Sequence, residues 1–144
     1  PASFSSILSL TTTTGPVYGV AVAAGGTTYY YATSQGLYKS ASDGTGMTAH
    51  YLSGTSLSSI ADSGTTPNIM VAMSSGTTAH TSIDNGATWA AYATGATGGV
   101  GGVRWSGQRF IARGTTQLVT SSNGVDWTIL GTLPASTNGV TVKE

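Results

Sequence analysis

The sequence predicts an all-β fold made of three four-stranded antiparallel repeats. Three observations predict it. One pattern of apolar runs and turn residues recurs at a spacing of about 40 residues. Each copy holds four short runs of strand formers separated by Gly, Asn, Asp and Ser. The third turn of the middle copy is a compact motif, Ser82-Ile83-Asp84-Asn85-Gly86-Ala87-Thr88-Trp89, and weaker versions sit at the same place in the other two copies.

The copies run over residues 17–52, 57–92 and 100–130. Each opens on an apolar pair three residues apart: Val17 and Val20, Leu57 and Ile60, Val100 and Val103. A Gly-rich or polar turn follows, then a β-prone strand that ends in alanine at Ala32, Ala72 and Ala112. A second turn leads through a third strand to the compact motif. Copy one has Asp43-Gly44 there and copy three has Asn123-Gly124 before Trp127. Such pairs accept the positive φ that tight turns demand. Ser and Asp side chains two residues apart can hold backbone N–H groups inside the turn. The residues Ser82, Asp84, Gly86, Thr88 and Trp89, with Asp43, Gly44, Asn123, Gly124 and Trp127, are therefore read as a structural clip. A short fourth strand closes each copy. Four strands at fixed period are the pattern of a propeller blade or another closed β array.

Composition limits the rest. Charged residues make up 7% of the chain, against about 25% in an average domain. Acids and bases cancel, and strand-forming runs recur throughout, which argues for a folded domain with a hydroxyl-covered or assembly-covered surface. A net charge of zero, with three clustered arginines too few for a duplex footprint, argues against nucleic acid. The absence of cysteine removes disulfide frameworks and thiol catalysis. No run is long enough for a membrane-spanning helix, and Ser6–Leu10 is too short for a signal peptide. If Pro1 is the natural start, the chain is expected to lack a secretion signal.

Residues 1–16 read as an N-terminal arm or strand, 17–133 as the three-repeat domain, and 134–144 as a C-terminal strand or tail. Three blades are too few for a self-closed propeller, in which four to eight is usual. Closure by oligomerisation is expected, with a single-chain β-trefoil as the alternative.

Ser82–Trp89 resembles the Asp-box, the bacterial neuraminidase repeat, and copies one and three look like degenerate versions. The stretch Val103–Ala112 leading to Ser122–Trp127 is similar in style to blades of bacteriophage tail and virion proteins. The first resemblance implies a propeller. Sialidases that carry the repeat use an arginine triad, a Tyr–Glu pair and an Asp acid. Here Arg104, Arg109 and Arg113 all fall in one repeat, and the only Glu is Glu144. Asp43, Asp84 and Asp126 sit in turns, which leaves little for acid–base work. His50 and His80 fall in different copies without a metal-ligand set. No catalytic residue, metal or cofactor is expected.

Aromatic residues are the best binding candidates, since exposed rings stack on sugars. Trp105 stands at a turn beside Arg104, and Arg109 follows, so these three form the candidate ligand contact. The resulting expectation is a non-enzymatic bacteriophage virion protein. It would be a capsid-decoration, head-fibre or tail-fibre module, located on the virion. It would form a homo-oligomer and meet other virion proteins, with host-surface glycan as a further partner. Neither nucleic acid nor membrane insertion is expected. The alternative is a secreted, propeller-type lectin.

Overall fold

The computed structural model describes residues 15–134. Most of the N-terminal arm and of the C-terminal tail lies outside the described residues. Twelve strands follow one another: β1 (Val17–Val22), β2 (Thr28–Thr33), β3 (Gly36–Ala41), β4 (Thr48–Tyr51), β5 (Leu57–Asp62), β6 (Met70–Ser74), β7 (Thr78–Ser82), β8 (Ala90–Ala93), β9 (Val100–Trp105), β10 (Phe110–Gly114), β11 (Gln117–Ser121) and β12 (Thr128–Thr132). They form three separate sheets in simple meander order, β1-β2-β3-β4, β5-β6-β7-β8 and β9-β10-β11-β12. Every pairing is antiparallel. The described residues therefore form three propeller-like blades, and the trefoil alternative is not adopted.

The blades stack face to face. Two apolar clusters fill the gaps. One gathers Tyr30, Ala32 and Leu37 of blade 1 with Leu57, Ile60, Met70 and Ala72 of blade 2. The other gathers Val71, Met73 and Ala79 of blade 2 with Val100, Val103, Phe110 and Ala112 of blade 3. Adjacent residues of β6 thus point to opposite clusters, as the period of two in a strand requires. The middle blade is buried on both faces, which is why β6 reads as the unbroken apolar run Met70-Val71-Ala72-Met73.

The first strand of each blade carries an irregularity at one place. Pairing shifts between Val17 and Gly19, between Leu57 and Ser59, and opposite Gly114 between Val100 and Gly102. The extra residues are Tyr18, Ser58 and Gly101. A bulge reverses the side-chain alternation. It explains the apolar pairs three residues apart, because in a regular strand such residues would face opposite ways. Leu57 and Ile60 share one cluster, as do Val100 and Val103.

The pairing corrects the sequence alignment of copy one. Ile60 pairs with Ala72 and Val103 with Ala112, but Val20 pairs with Tyr31. Tyr31 is therefore the counterpart of Ala72 and Ala112, and Ala32 corresponds to Met73. Counting 40 residues from Ala32 misses a difference in length between the first turns of blades 1 and 2. One residue of slip exchanges the two faces of a strand. It places Tyr30 against blade 2, with Tyr29 and Tyr31 on the other side.

The compact turn of each later blade leans on the sheet of the blade before it. Gly86, at φ 87°, lies against the ring of Tyr30 so closely that a methyl group there would overlap it. Gly124, at φ 74°, lies over Thr81 and Val71, where a methyl carbon would come within 2.7 Å of Thr81 Cγ2. Gly107 also has positive φ, but no atom of the described residues lies within 4 Å of the place its Cβ would take. Both Gly86→Ala and Gly107→Ala strain the backbone, and only the first also overpacks an interface. Urea unfolding should show Gly107→Ala costing about 1 kcal/mol and Gly86→Ala about 2–4 kcal/mol.

Candidate functional site

Ser82 ends β7 and is buried beneath its turn. Its hydroxyl donates to Asp84 Oδ1 (2.8 Å) and accepts from the Gly86 amide (2.8 Å). The Asp84 carboxylate accepts from the Thr88 amide (2.8 Å) and from the Thr88 hydroxyl (2.5 Å). The Trp89 indole N–H donates to the Gly86 carbonyl (3.1 Å). In blade 3, Ser121 accepts from the Gly124 amide (2.8 Å), Asn123 takes the place of the aspartate, and Trp127 donates to the Gly124 carbonyl (2.9 Å). This turn is one residue shorter, since its serine holds an amide three positions on and Ser82 holds one four positions on. In blade 1, Asp43 holds only Thr45, at 2.9 Å to its amide and 2.7 Å to its hydroxyl. The Gly44 amide bonds the Ala41 carbonyl, and Ser40 turns away to Tyr31.

Asn85, at φ 62°, ties the middle turn to blade 1. Its side chain accepts from the Ala24 amide (2.6 Å) and donates to the Ala24 carbonyl (3.3 Å). Buried Asn68 donates to the Val22 carbonyl at 2.9 Å. His50 Nε2 donates to the Gly86 carbonyl (2.8 Å), and its ring lies 5.5 Å from Tyr30. Trp89 packs 6.1 Å from both Tyr30 and Tyr51, and Tyr51 meets His80 edge-on at 5.9 Å. The two histidines, far apart in sequence, thus flank one aromatic cluster between blades 1 and 2. Among the described residues no three His, Cys, Asp or Glu side chains group as metal ligands.

A groove of about 360 Å³ runs along the inner strands. The bulge residues Tyr18 and Ser58 line it with Val20, and on blade 3 it is lined by Arg104, Arg113 and Leu118. Tyr18 is 52% exposed. Among the described residues no acid lines the groove. The Ser58 hydroxyl donates within 2.6 Å of the Gly101 carbonyl and Ser59 within 2.8 Å of the same oxygen, so hydroxyls join blades 2 and 3 under the groove floor. Of the three residues proposed from sequence as a ligand contact, only Arg104 reaches the groove. Trp105 packs on Phe110, 4.7 Å between ring centres, in the second core cluster. Arg109 is exposed at the adjoining turn, where its carbonyl accepts from Ser106. Tyr18, Ser58 and Arg113 also line the groove and stand outside that set of three. The signal for the first two was the apolar spacing of three, which marks a bulge and so a side chain aimed out of the sheet.

No protein-family model matches the chain, and no curated protein does. Solved structures do match. One is YCF48 from Cyanidioschyzon merolae, at TM-score 0.68 and 15% identity, covering 87% of this chain and 40% of that one. A nidogen/laminin complex matches at TM-score 0.62 and 14% identity, over 81% and 48%. The GH74 enzyme of Niastella koreensis matches at TM-score 0.54 and 30% identity, over 77% and 17%. All are propeller-type proteins, and this chain has a β-propeller-like fold. It spans less than half the length of each.

Burial tends to raise the Asp84 carboxyl, but the bonds from Thr88 and Ser82 outweigh it and hold the group below the ordinary 3.8. Burial lowers His80 from 6.5. Its ring is 7% exposed and its Nδ1 has no hydrogen-bond partner among the described residues. Both groups bind protons less readily folded than unfolded, so both destabilise the fold on acidification. The His80 contribution is complete above pH 6.5 and is lost as pH falls through the folded value. The Asp84 contribution is lost only below about pH 4. Thermal unfolding across this range should show two declines. His80→Leu should flatten the upper one and Asp84→Asn the lower one.

Proposed function

We propose that this chain is a non-enzymatic structural protein of a bacteriophage virion, a capsid-decoration, head-fibre or tail-fibre module that mediates assembly or surface adhesion. The observation that carries this reading is the exposed apolar patch at the inner edge of blade 1. Val20 on blade 1 is 50% exposed, whereas its counterparts Ile60 and Val103 are 7% and 4% exposed beneath a neighbouring blade. A module with an exposed apolar patch is suited to cover by another protein. The likeness of the turns to Asp-boxes and of blade 3 to virion blades supports the same reading. So does the use of the carboxylates: Asp43, Asp62, Asp84 and Asp126 all accept hydrogen bonds within or beside turns. Other virion proteins and further copies of the chain are its partners in this proposal. Immunogold labelling of particles from the source, with an antibody raised to this chain, should decorate one defined part of the virion. Label confined to soluble protein would sink the proposal.

A second reading, a propeller-type lectin, is favoured by the groove, where half-exposed Tyr18 accompanies Arg104. Rings and guanidinium groups of this kind suit a sugar face and its polar substituents. On a glycan array this reading expects binding that weakens at least about tenfold in Arg104→Ala, the scale of one hydrogen bond to a charged group. It expects little change in Trp105→Ala once folding is intact. An array with no bound glycan would exclude it.

A further inference from the structure

We propose that Asn85 is a latent modification site: water converts it to aspartate or isoaspartate only when blades 1 and 2 part, and the conversion then keeps them from closing again as before. The inference depends on neither the virion nor the lectin reading.

Asn-Gly is the pair most open to this chemistry, because glycine has no side chain to crowd its own amide nitrogen. The pair occurs at 85–86, 123–124 and 138–139, and the last lies outside the described residues. In the reaction the Gly86 nitrogen gives up its proton and attacks Cγ of Asn85. A new C–N bond closes a cyclic imide, while the bond to Nδ2 breaks and that nitrogen leaves as ammonia. Water then opens the ring at either carbonyl, giving aspartate or isoaspartate. One water enters, one ammonia leaves, and nothing is oxidised or reduced.

Both reacting groups are held apart in the folded chain. Gly86 is buried and its amide donates to Ser82 Oγ at 2.8 Å, so its proton is engaged and shielded from hydroxide. The Asn85 carboxamide is held from blade 1, where it accepts from the Ala24 amide and donates to the Ala24 carbonyl. His50, also of blade 1, bonds the Gly86 carbonyl, and the Tyr30 ring fills the space beside the Gly86 α-carbon. Turning the Asn85 side chain toward the Gly86 nitrogen breaks the first pair of bonds, and swinging the Gly86 peptide breaks the rest. Asn123 differs. Among the described residues its side chain bonds only within its own turn, to Ser121, Val125 and Asp126. Freeing the Asn123 side chain takes a local opening, whereas freeing that of Asn85 takes the joint between two blades. The product explains why the change is lasting. A carboxylate at position 85 still accepts from the Ala24 amide, but it sets an acceptor against the Ala24 carbonyl where the amide had donated. Isoaspartate also lengthens the main chain by one carbon in the turn that presses Gly86 on Tyr30.

The full chain is held in mildly alkaline buffer, with and without urea, and peptide mass mapping follows each Asn-Gly pair. In urea Asn85 and Asn123 should convert at similar rates, since glycine follows both. In the native chain Asn85 should be slowed at least about tenfold and should lag behind Asn123, because a cooperative opening costs more than a local one. His50→Ala, under conditions where circular dichroism shows it folded, should speed Asn85 and leave Asn123 unchanged. Asn85→Asp keeps a residue that tolerates positive φ and removes only the donor. In a urea titration it should raise the unfolding equilibrium constant about 5–30-fold. Conversion of Asn85 as fast in native buffer as in urea overturns the proposal. So does a change in His50→Ala at both sites or at neither, since the lock is then not the joint between blades 1 and 2. Wild-type stability in Asn85→Asp overturns the claim that the joint is kept from closing. If His50→Ala does not fold, the native and urea rates of the wild type decide.

Discussion

The close approach of one turn glycine to the sheet of the preceding blade is the contact on which the architecture depends. Gly86 against Tyr30 and Gly124 over Val71 and Thr81 let the backbone of each later blade descend to where no side chain could follow. The flanking clip makes this possible. A serine beneath the turn and an aspartate or asparagine beside it satisfy the turn amides. The glycine carbonyl, left facing the interface, is taken by a tryptophan of its own blade. It is also taken by a polar side chain of the preceding blade, His50 in one case and Thr81, at 2.6 Å, in the other. One carbonyl thus joins the local turn to the stacking of blades. Its cost if unsatisfied, about 1–3 kcal/mol, explains why both partners are supplied.

Much of this was legible in the sequence, and the limits of legibility have physical causes. Strand count, repeat spacing and turn chemistry were readable because glycine and asparagine mark positive φ and because β runs alternate with breakers. The face of each residue in copy one was not. The run Tyr29-Tyr30-Tyr31-Ala32 offers no polar alternation to fix the register, so matching alanine to alanine was reasonable and one residue out. The bulges were written in plain view as apolar pairs three apart, a spacing no regular strand can bury on one side. The groove was illegible for a related reason, since it is built from bulge residues that pairing alone reveals. Trp105 drew attention at a turn. Its pairing with Phe110 turns it into the core, and no local sequence signal separates those two fates.

The blades are alike in backbone yet joined differently. Blades 1 and 2 meet through amide side chains and an aromatic cluster, with Asn68 and Asn85 bonding the main chain of the first turn in blade 1. Blades 2 and 3 meet through hydroxyls, as Ser58 and Ser59 reach the Gly101 carbonyl and Ser59 accepts from the Val103 amide at 3.0 Å. Apolar packing at both joints is permissive and would accept other aliphatic neighbours.

Asn68 has a consequence of another kind, because it works as an address label. It is 1% exposed and its amide donates to the main-chain carbonyl of Val22 in blade 1. The residue at the matching place in blade 3, Gln108, lies in a shorter turn and is exposed. A blade 2 seated out of register on its neighbour would strand a desolvated amide, whereas aliphatic contacts tolerate some sliding. Repeats that share a fold are prone to mispairing during folding. A single buried amide that must meet a carbonyl at one depth gives the chain a means of holding this pair of repeats in place.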